Sequence, residues 1–219
     1  SGNYYVGHDD TRRLIPVDDQ SRFLIASPTK PFVSVAAMIL VEKGLLQVSD
    51  RVSKYIPSFG SDRKAGIRVA NLLTHTSGLP DMLPNNLDLR RNKAPLSEYQ
   101  NHTNTVELVH DPGTRVHYQS MGILTLSSII EVITTVSTAE FLASEIFSQL
   151  QMSNTSLGAT DDCINSMRPP VDSMVEHIEG HDDWGWNSEY WRKLGAPWGG
   201  LISTSSDIGI FCRHLLSIL

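Results

Sequence analysis

The chain has 219 residues, 40% of them hydrophobic and 19% charged, a balance that fits a globular protein with a sizeable core. Its 18 basic and 24 acidic side chains leave a net charge of −6, and the basic runs Arg12-Arg13 and Arg90-Arg91-Asn92-Lys93 are short, which argues against nucleic acid or an anionic membrane as partner. The two cysteines, Cys163 and Cys212, have neither metal-type spacing nor the density of a disulfide scaffold, and no stretch is apolar for long enough to span a bilayer.

The first residues, Ser1-Gly2-Asn3-Tyr4, lack the basic and apolar regions of a signal peptide. That leaves the location open between the cytoplasm and, after loss of a leader, the periplasm or medium. Two strands are expected at the start, Tyr4-Tyr5-Val6 and Phe23-Leu24-Ile25. Over 28–43 the apolar residues Phe32, Val33, Val35, Ala36, Ala37, Met38, Ile39, Leu40 and Val41 cover nearly every side of a helix, so that helix must be buried. Pro28 and Pro31 fall in its first turn, where a missing amide donor costs little, and Gly44 marks its end. A short helix with Val52 and Tyr55 ends at Pro57, and a segment over 67–73 closes near Thr76-Ser77-Gly78.

The Pro- and Asn-rich stretch 80–102 reads as a mobile loop. Helical periodicity returns over 119–133 in Ile123, Leu124, Leu126, Ile129, Ile130 and Ile133, and Ser137-Thr138-Ala139-Glu140 has the spacing of a capping box. Turns with Trp184, Trp186, Trp191 and Trp198 are expected over 161–200, then a last helix from Ser206-Asp207.

Within Ala26-Ser27-Pro28-Thr29-Lys30, hydroxyl and amine are three residues apart at a helix start. Three residues make nearly one turn, so both groups share a face, close enough to exchange a proton. A lysine with the ordinary pKa of about 10.4 is a poor base at neutral pH, so the chemistry needs burial or nearby positive charge to favour the free amine. The buried helix supplies the burial, and its free N–H groups and positive dipole end favour negative charge on Ser27 and on a bound carbonyl oxygen. Taken alone, so short a motif is more often an N-cap serine beside a snorkelling lysine.

Longer blocks supply the context. Phe23 through Lys30, then Val41-Glu42-Lys43-Gly44-Leu45-Leu46 and Tyr55-Ile56-Pro57, resemble the nucleophile helix of the serine β-lactamase and penicillin-binding protein superfamily in its class C-like branch. Leu72-Leu73-Thr74-His75-Thr76-Ser77-Gly78-Leu79-Pro80, Pro112-Gly113 followed by Tyr118, Glu140-Phe141-Leu142 to Met152, and Gly199-Gly200-Leu201-Ile202-Ser203-Thr204 with Asp207 follow in the same order. The resemblance implies an acyl-enzyme mechanism: Ser27 attacks a carbonyl, Lys30 helps to remove its proton and Tyr118 relays it to the leaving group. Either Lys30 or Tyr118 can be the base.

Two departures bear on substrate. The family's second motif is commonly Tyr-x-Asn, whereas here it reads Tyr118-Gln119-Ser120, and a serine hydroxyl lacks the reach of an asparagine amide. Esters are therefore expected ahead of β-lactams and peptides. The chain also ends at Leu219, before the place of the family's third motif, so the resemblance implies a piece of a longer polypeptide without the last strands of its sheet.

Competing constellations are weaker. His177-x-Glu179-x-His181 with Asp182 and Asp183 has two histidines at helical spacing, but Gly180 interrupts the turn and the glutamate is misplaced for a zinc motif, so a solvated loop is preferred and no metal is expected. His75 and Ser77 are two apart and do not face each other on a helix, which makes His75 a hydrogen-bonded structural histidine. Of the tryptophans, Trp198 beside Gly199 is the first choice to line an acyl or alkyl pocket.

The expected fold is therefore α/β of the α+β type, an antiparallel sheet flanked by helices plus a helical lobe. Residues 1–49 bring the first strands and nucleophile helix, 50–156 the helical lobe and 157–219 a loop-rich return with a final helix. Ser27, Lys30 and Tyr118 are the expected catalytic residues, and Ser120, Trp198 and Gly199 the expected substrate contacts. No cofactor is expected, and the substrate is a small ester, amide or β-lactam. The alternative is a penicillin-binding, D-alanyl-D-alanine carboxypeptidase or β-lactamase activity, or a receptor or pseudoenzyme that acylates without turnover.

Overall fold

The computed structural model describes residues 16–60, 62–165, 170–172 and 183–217. The expected strand Tyr4-Tyr5-Val6 and the His177, Glu179 and His181 constellation lie outside them. Among the described residues the sheet is antiparallel, with three short strands in the order β1 (Phe23–Leu24), β3 (Leu201–Ser203), β2 (Ser156–Leu157). Phe23 pairs with Ser203 and Leu24 with Ile202 on one side of β3, and Ser156 pairs with Ile202 and Leu157 with Leu201 on the other. Every residue of the central β3 is buried.

Helix α1 (Thr29–Glu42) follows β1 after one tight turn and buries Phe32, Val33, Ala36, Ala37 and Leu40. It ends as expected: Gly44 takes a φ of +70°, and its N–H bonds the carbonyl of Val41. Short 3₁₀ turns, Val52–Lys54, Pro57–Gly60 and Asp62–Gly66, lead to α2 (Val69–Leu73). Helix α5 (Ser120–Thr134) lies against α1 and α2 and buries residues on almost every side, including Ile123, Leu126, Ile129 and Ile130. Ser137 caps α6 (Thr138–Leu142) through the expected box, its Oγ accepting from Glu140 N at 3.2 Å while Glu140 Oε2 accepts from Ser137 N at 2.9 Å. The Ser137 hydroxyl, which donates to Glu140 Oε2 at 2.7 Å, and then the Ser137 N–H hold the Glu140 carboxyl below its ordinary range. A π-helical turn, Ala143–Phe147, continues α6.

The stretch 80–102 is not the mobile loop that its prolines and asparagines suggest. It contains α3 (Asn86–Arg91) and α4 (Leu96–Thr105), anchored by Leu83, Leu89 and the fully buried Tyr99. The burial of these few large side chains outweighs the turn-forming composition. Among the described residues, the return over 161–200 likewise carries two short helices, α7 (Asp161–Ile164) and α8 (Glu189–Leu194), capped by the side chains of Thr160 and Ser188. Final helix α9 (Ser205–Ser217) stacks Phe211 on Phe32 at 3.7 Å between ring centroids. One core cluster runs from α1 through α5 to Leu201 and Phe211, and a small second one joins Ala159, Cys163 and Ile202. Neither Cys163 nor Cys212 is in a disulfide.

Gly78 ends the turn after α2 with a φ of +82°, and a Cβ there would meet the His110 carbonyl oxygen at 2.2 Å. Substituting Gly78→Ala combines left-handed strain with a backbone clash and should lower stability by at least about 2 kcal/mol, read as a falling midpoint in urea unfolding.

Candidate active site

The site forms where β1 turns into α1. Ile25 N–H bonds the Leu201 carbonyl at 2.9 Å, so the sheet holds the chain up to that point. Ala26 then adopts a φ of 54°, a left-handed conformation that is uncommon for a side chain with a Cβ. Thr29 fixes this turn from within: its N–H and its Oγ both donate to the Ala26 carbonyl, at 2.9 and 2.7 Å, and its Oγ accepts from Leu201 N at 3.1 Å. The strained turn lifts Ser27 to an exposed position while Lys30, one turn on, is only 6% exposed.

Lys30 Nζ lies 3.3 Å from Ser27 Oγ and donates to the Trp198 carbonyl at 2.8 Å. Among the described residues no carboxylate pairs with it. The expectation of free N–H groups at the start of α1 needs correcting, because those of Thr29 and Lys30 close turns on the carbonyls of Ala26 and Ser27. The N–H of Ser27 itself makes no hydrogen bond among the described residues.

Tyr118 stands on the other side of Lys30, whose Nζ is 4.7 Å from the ring centroid. The tyrosine is 47% exposed, and its hydroxyl makes no hydrogen bond among the described residues. Its other neighbour is His75, with ring centroids 4.9 Å apart. The next residue, Gln119, is fully buried; its Oε1 accepts from Ser77 Oγ and its Nε2 donates to the Asn71 carbonyl at 3.1 Å. Tyr118 is thus carried by a locked segment. His75 and Ser77 both bond to Gln119 and not to each other, in line with a structural histidine.

Ser120 opens α5 with its hydroxyl already engaged: Oγ donates to Asp81 Oδ1 at 2.6 Å and the Ser120 N–H donates to the same oxygen at 3.0 Å. A carboxylate at a helix start is favoured by the helix dipole. The consequence is that Ser120 has no hydrogen left to donate to a ligand.

Ser27, Lys30, Tyr118, Ser120, Trp198 and Gly199 all border one cavity of about 150 Å³. Leu24, Met82, Trp186 and Trp191 give it apolar walls, and Asp81, Asn86 and Arg90 complete them. Trp198 contributes in two ways, through the carbonyl that holds Lys30 and through a buried ring tilted against Tyr99 and Trp191 at 5.5 and 6.2 Å. Arg90 is nearly buried, 4.3 Å above the Trp191 ring, with Nη2 donating to the Trp184 carbonyl at 3.3 Å.

Asp81, Asn86 and Arg90 are absent from the residues expected from sequence, because they fall in the stretch read as a loop. Asp81 directly follows the block ending Gly78-Leu79-Pro80, and its closeness to that block is the signal that points to it. Among the described residues no group of three or more His, Cys, Asp or Glu is arranged to hold a metal ion.

Comparison with known proteins places the chain. Penicillin-binding protein 4* of Bacillus subtilis (strain 168) is 30% identical over 168 residues, covering 70% of this chain and 34% of that protein. The D-amino acid amidase from Ochrobactrum anthropi SV3 in complex with L-phenylalanine amide superposes with a TM-score of 0.75 at 23% identity, over 96% of this chain and 60% of the amidase. EstCE1, a hydrolase with promiscuous acyltransferase activity, gives 0.73 at 20% identity over 95% of this chain and 62% of its own. The chain spans about one third of the length of the curated relatives it matches and about 60% of these structures. The family model described as Beta-lactamase matches residues 2–218. With that match over nearly its whole length, the chain belongs to the Beta-lactamase family, within the serine β-lactamase and penicillin-binding protein superfamily.

Proposed function

We propose that the protein is a serine hydrolase that forms an acyl-enzyme on Ser27 and acts on small carboxylic esters. The observation that carries this reading is the contact between Ser27 Oγ and Lys30 Nζ at 3.3 Å, with the serine exposed and the lysine buried. In this mechanism Ser27 Oγ attacks the ester carbonyl carbon and its proton passes to the free amine of Lys30. The proton then reaches the departing alkoxide by way of Tyr118, and the C–O bond to the leaving group breaks. Water next attacks the acyl carbonyl, Lys30 takes its proton, and the acid leaves as that proton returns to Ser27. Lys30 is the better candidate for the base because it is the group within reach of Ser27. The unbonded Ser27 N–H is one donor for the oxyanion.

Two features favour esters over β-lactams or peptides. The Ser120 hydroxyl donates to Asp81, so the position where the family commonly offers an asparagine amide has no donor for a substrate carbonyl. The cavity, about 150 Å³ with tryptophan walls, has the volume of a site that takes a benzene-sized group, which suits a short or small aromatic acyl chain. Amide hydrolysis, named for the Ochrobactrum relative, is the competing activity of the same site.

Intact-mass analysis after treatment with an alkyl fluorophosphonate should find one adduct, lost in Ser27→Ala and formed at least about 100-fold more slowly in Lys30→Gln. An adduct that persists in Ser27→Ala would end the proposal. Among p-nitrophenyl esters the acetate and butyrate should turn over faster than the octanoate, and Trp186→Ala, which opens one wall of the cavity, should move the preference towards longer chains. Equal rates along the series, unmoved by Trp186→Ala, would show that this cavity does not hold the acyl group.

A further inference from the structure

His75 is bonded on both sides of Tyr118. Its carbonyl accepts from His117 N at 2.8 Å and its Nδ1 accepts from Gln119 N at 3.3 Å, so the residues before and after the tyrosine are tied to one histidine. The imidazole also lies against the Tyr118 ring, which Lys30 approaches as well. Since a backbone N–H can only donate, Nδ1 must carry a lone pair, and the neutral ring holds its proton on Nε2. The backbone of His75 is left-handed, with a φ of 56°, which turns carbonyl and imidazole towards the same neighbouring strand of chain.

We infer that His75 is the positioning residue for Tyr118, competent only as the neutral Nε2–H tautomer, so that protonation of Nδ1 releases the tyrosine and slows acylation of Ser27. The inference rests on the Ser27 acyl-enzyme reading. A proton on Nδ1 replaces an acceptor with a donor facing the Gln119 N–H, and it adds a second positive charge beside a ring that Lys30 already approaches. The charged groups that act on the ring are Lys30 from α1, which opposes protonation, and Asp81, which favours it. The His117 ring faces His110 at 6.1 Å between centroids. Burial first, and the charge of Lys30 second, hold the imidazole below its ordinary pKa of 6.5. The loss of rate therefore falls on the acid side of 6.5, and the clamp is closed at neutral pH.

Two substitutions separate positioning from general support of the fold. His75→Asn keeps an acceptor oxygen at the same number of bonds from Cα, does not titrate and tolerates a left-handed backbone. His75→Leu has an apolar side chain of similar size and no acceptor. The experiment follows the rate of fluorophosphonate labelling of the full chain across pH, with ¹⁵N NMR of the histidine rings alongside. The wild type should show an acid limb that tracks the His75 titration. His75→Asn should label within about threefold of wild type at neutral pH and lack that limb, while His75→Leu should be at least tenfold slower at every pH and remain folded. The same limb in His75→Asn, or wild-type labelling in His75→Leu, overturns the inference. If the wild type is not labelled at Ser27, the acyl-enzyme reading fails by itself. NMR then decides the clamp: an Nε2–H tautomer whose titration moves the Tyr118 ring resonances supports it, and a proton on Nδ1 at neutral pH or an unmoved Tyr118 refutes it.

Discussion

The site is organised around where one lysine amine is allowed to be. Lys30 Nζ sits in a nearly buried position, fixed by the Trp198 carbonyl at 2.8 Å and within reach of Ser27 Oγ at 3.3 Å. A buried amine without a carboxylate partner is costly unless its surroundings serve it, and here a backbone carbonyl and the face of Tyr118 take that part. Neither partner neutralises the charge as an ion pair would. The amine and the serine hydroxyl are left facing each other at 3.3 Å, as the proposed proton transfer requires.

The fold spends its rigidity on that arrangement. The Trp198 carbonyl lies just before β3, which pairs with β1 and bonds Thr29 through Leu201 N, so the same strand sets the height of the serine turn and the position of the lysine's partner. The left-handed Ala26 is held by bonds on both sides of the bend. Strain of this kind persists only where its surroundings over-determine it. From the other side, α5 presents Tyr118-Gln119-Ser120 as a divided segment: the glutamine is locked into the core, the serine is bonded to Asp81, and the tyrosine alone is left facing the amine.

Much of this was legible in the sequence because it rests on local patterns. The all-round apolar run predicts α1 as a buried helix, Pro28 and Gly44 mark its ends, Ser137 and Glu140 announce α6, and the spacing of Ser27 and Lys30 puts their side chains on one face. The longer blocks point to the superfamily. Composition misled over 80–102, where prolines and asparagines hide Leu83, Leu89 and Tyr99, whose burial turns the stretch into ordered helices. Asp81 went with it, and so did the reason that Ser120 cannot donate. The helix-start N–H groups were expected to be free because sequence does not reveal that Ala26 and Ser27 carbonyls fold back onto them. Contacts between residues far apart in the chain, such as Lys30 with Trp198, follow from the tertiary fold and leave no spacing to read.

A crystal structure of the chain after reaction with an alkyl fluorophosphonate tests the central claim most directly. The account predicts phosphorus bonded to Ser27 Oγ, the alkyl group in the tryptophan-lined cavity, and the Lys30 amine still held by the Trp198 carbonyl. Phosphorus on another residue, or a Lys30 side chain turned out to solvent, would contradict it.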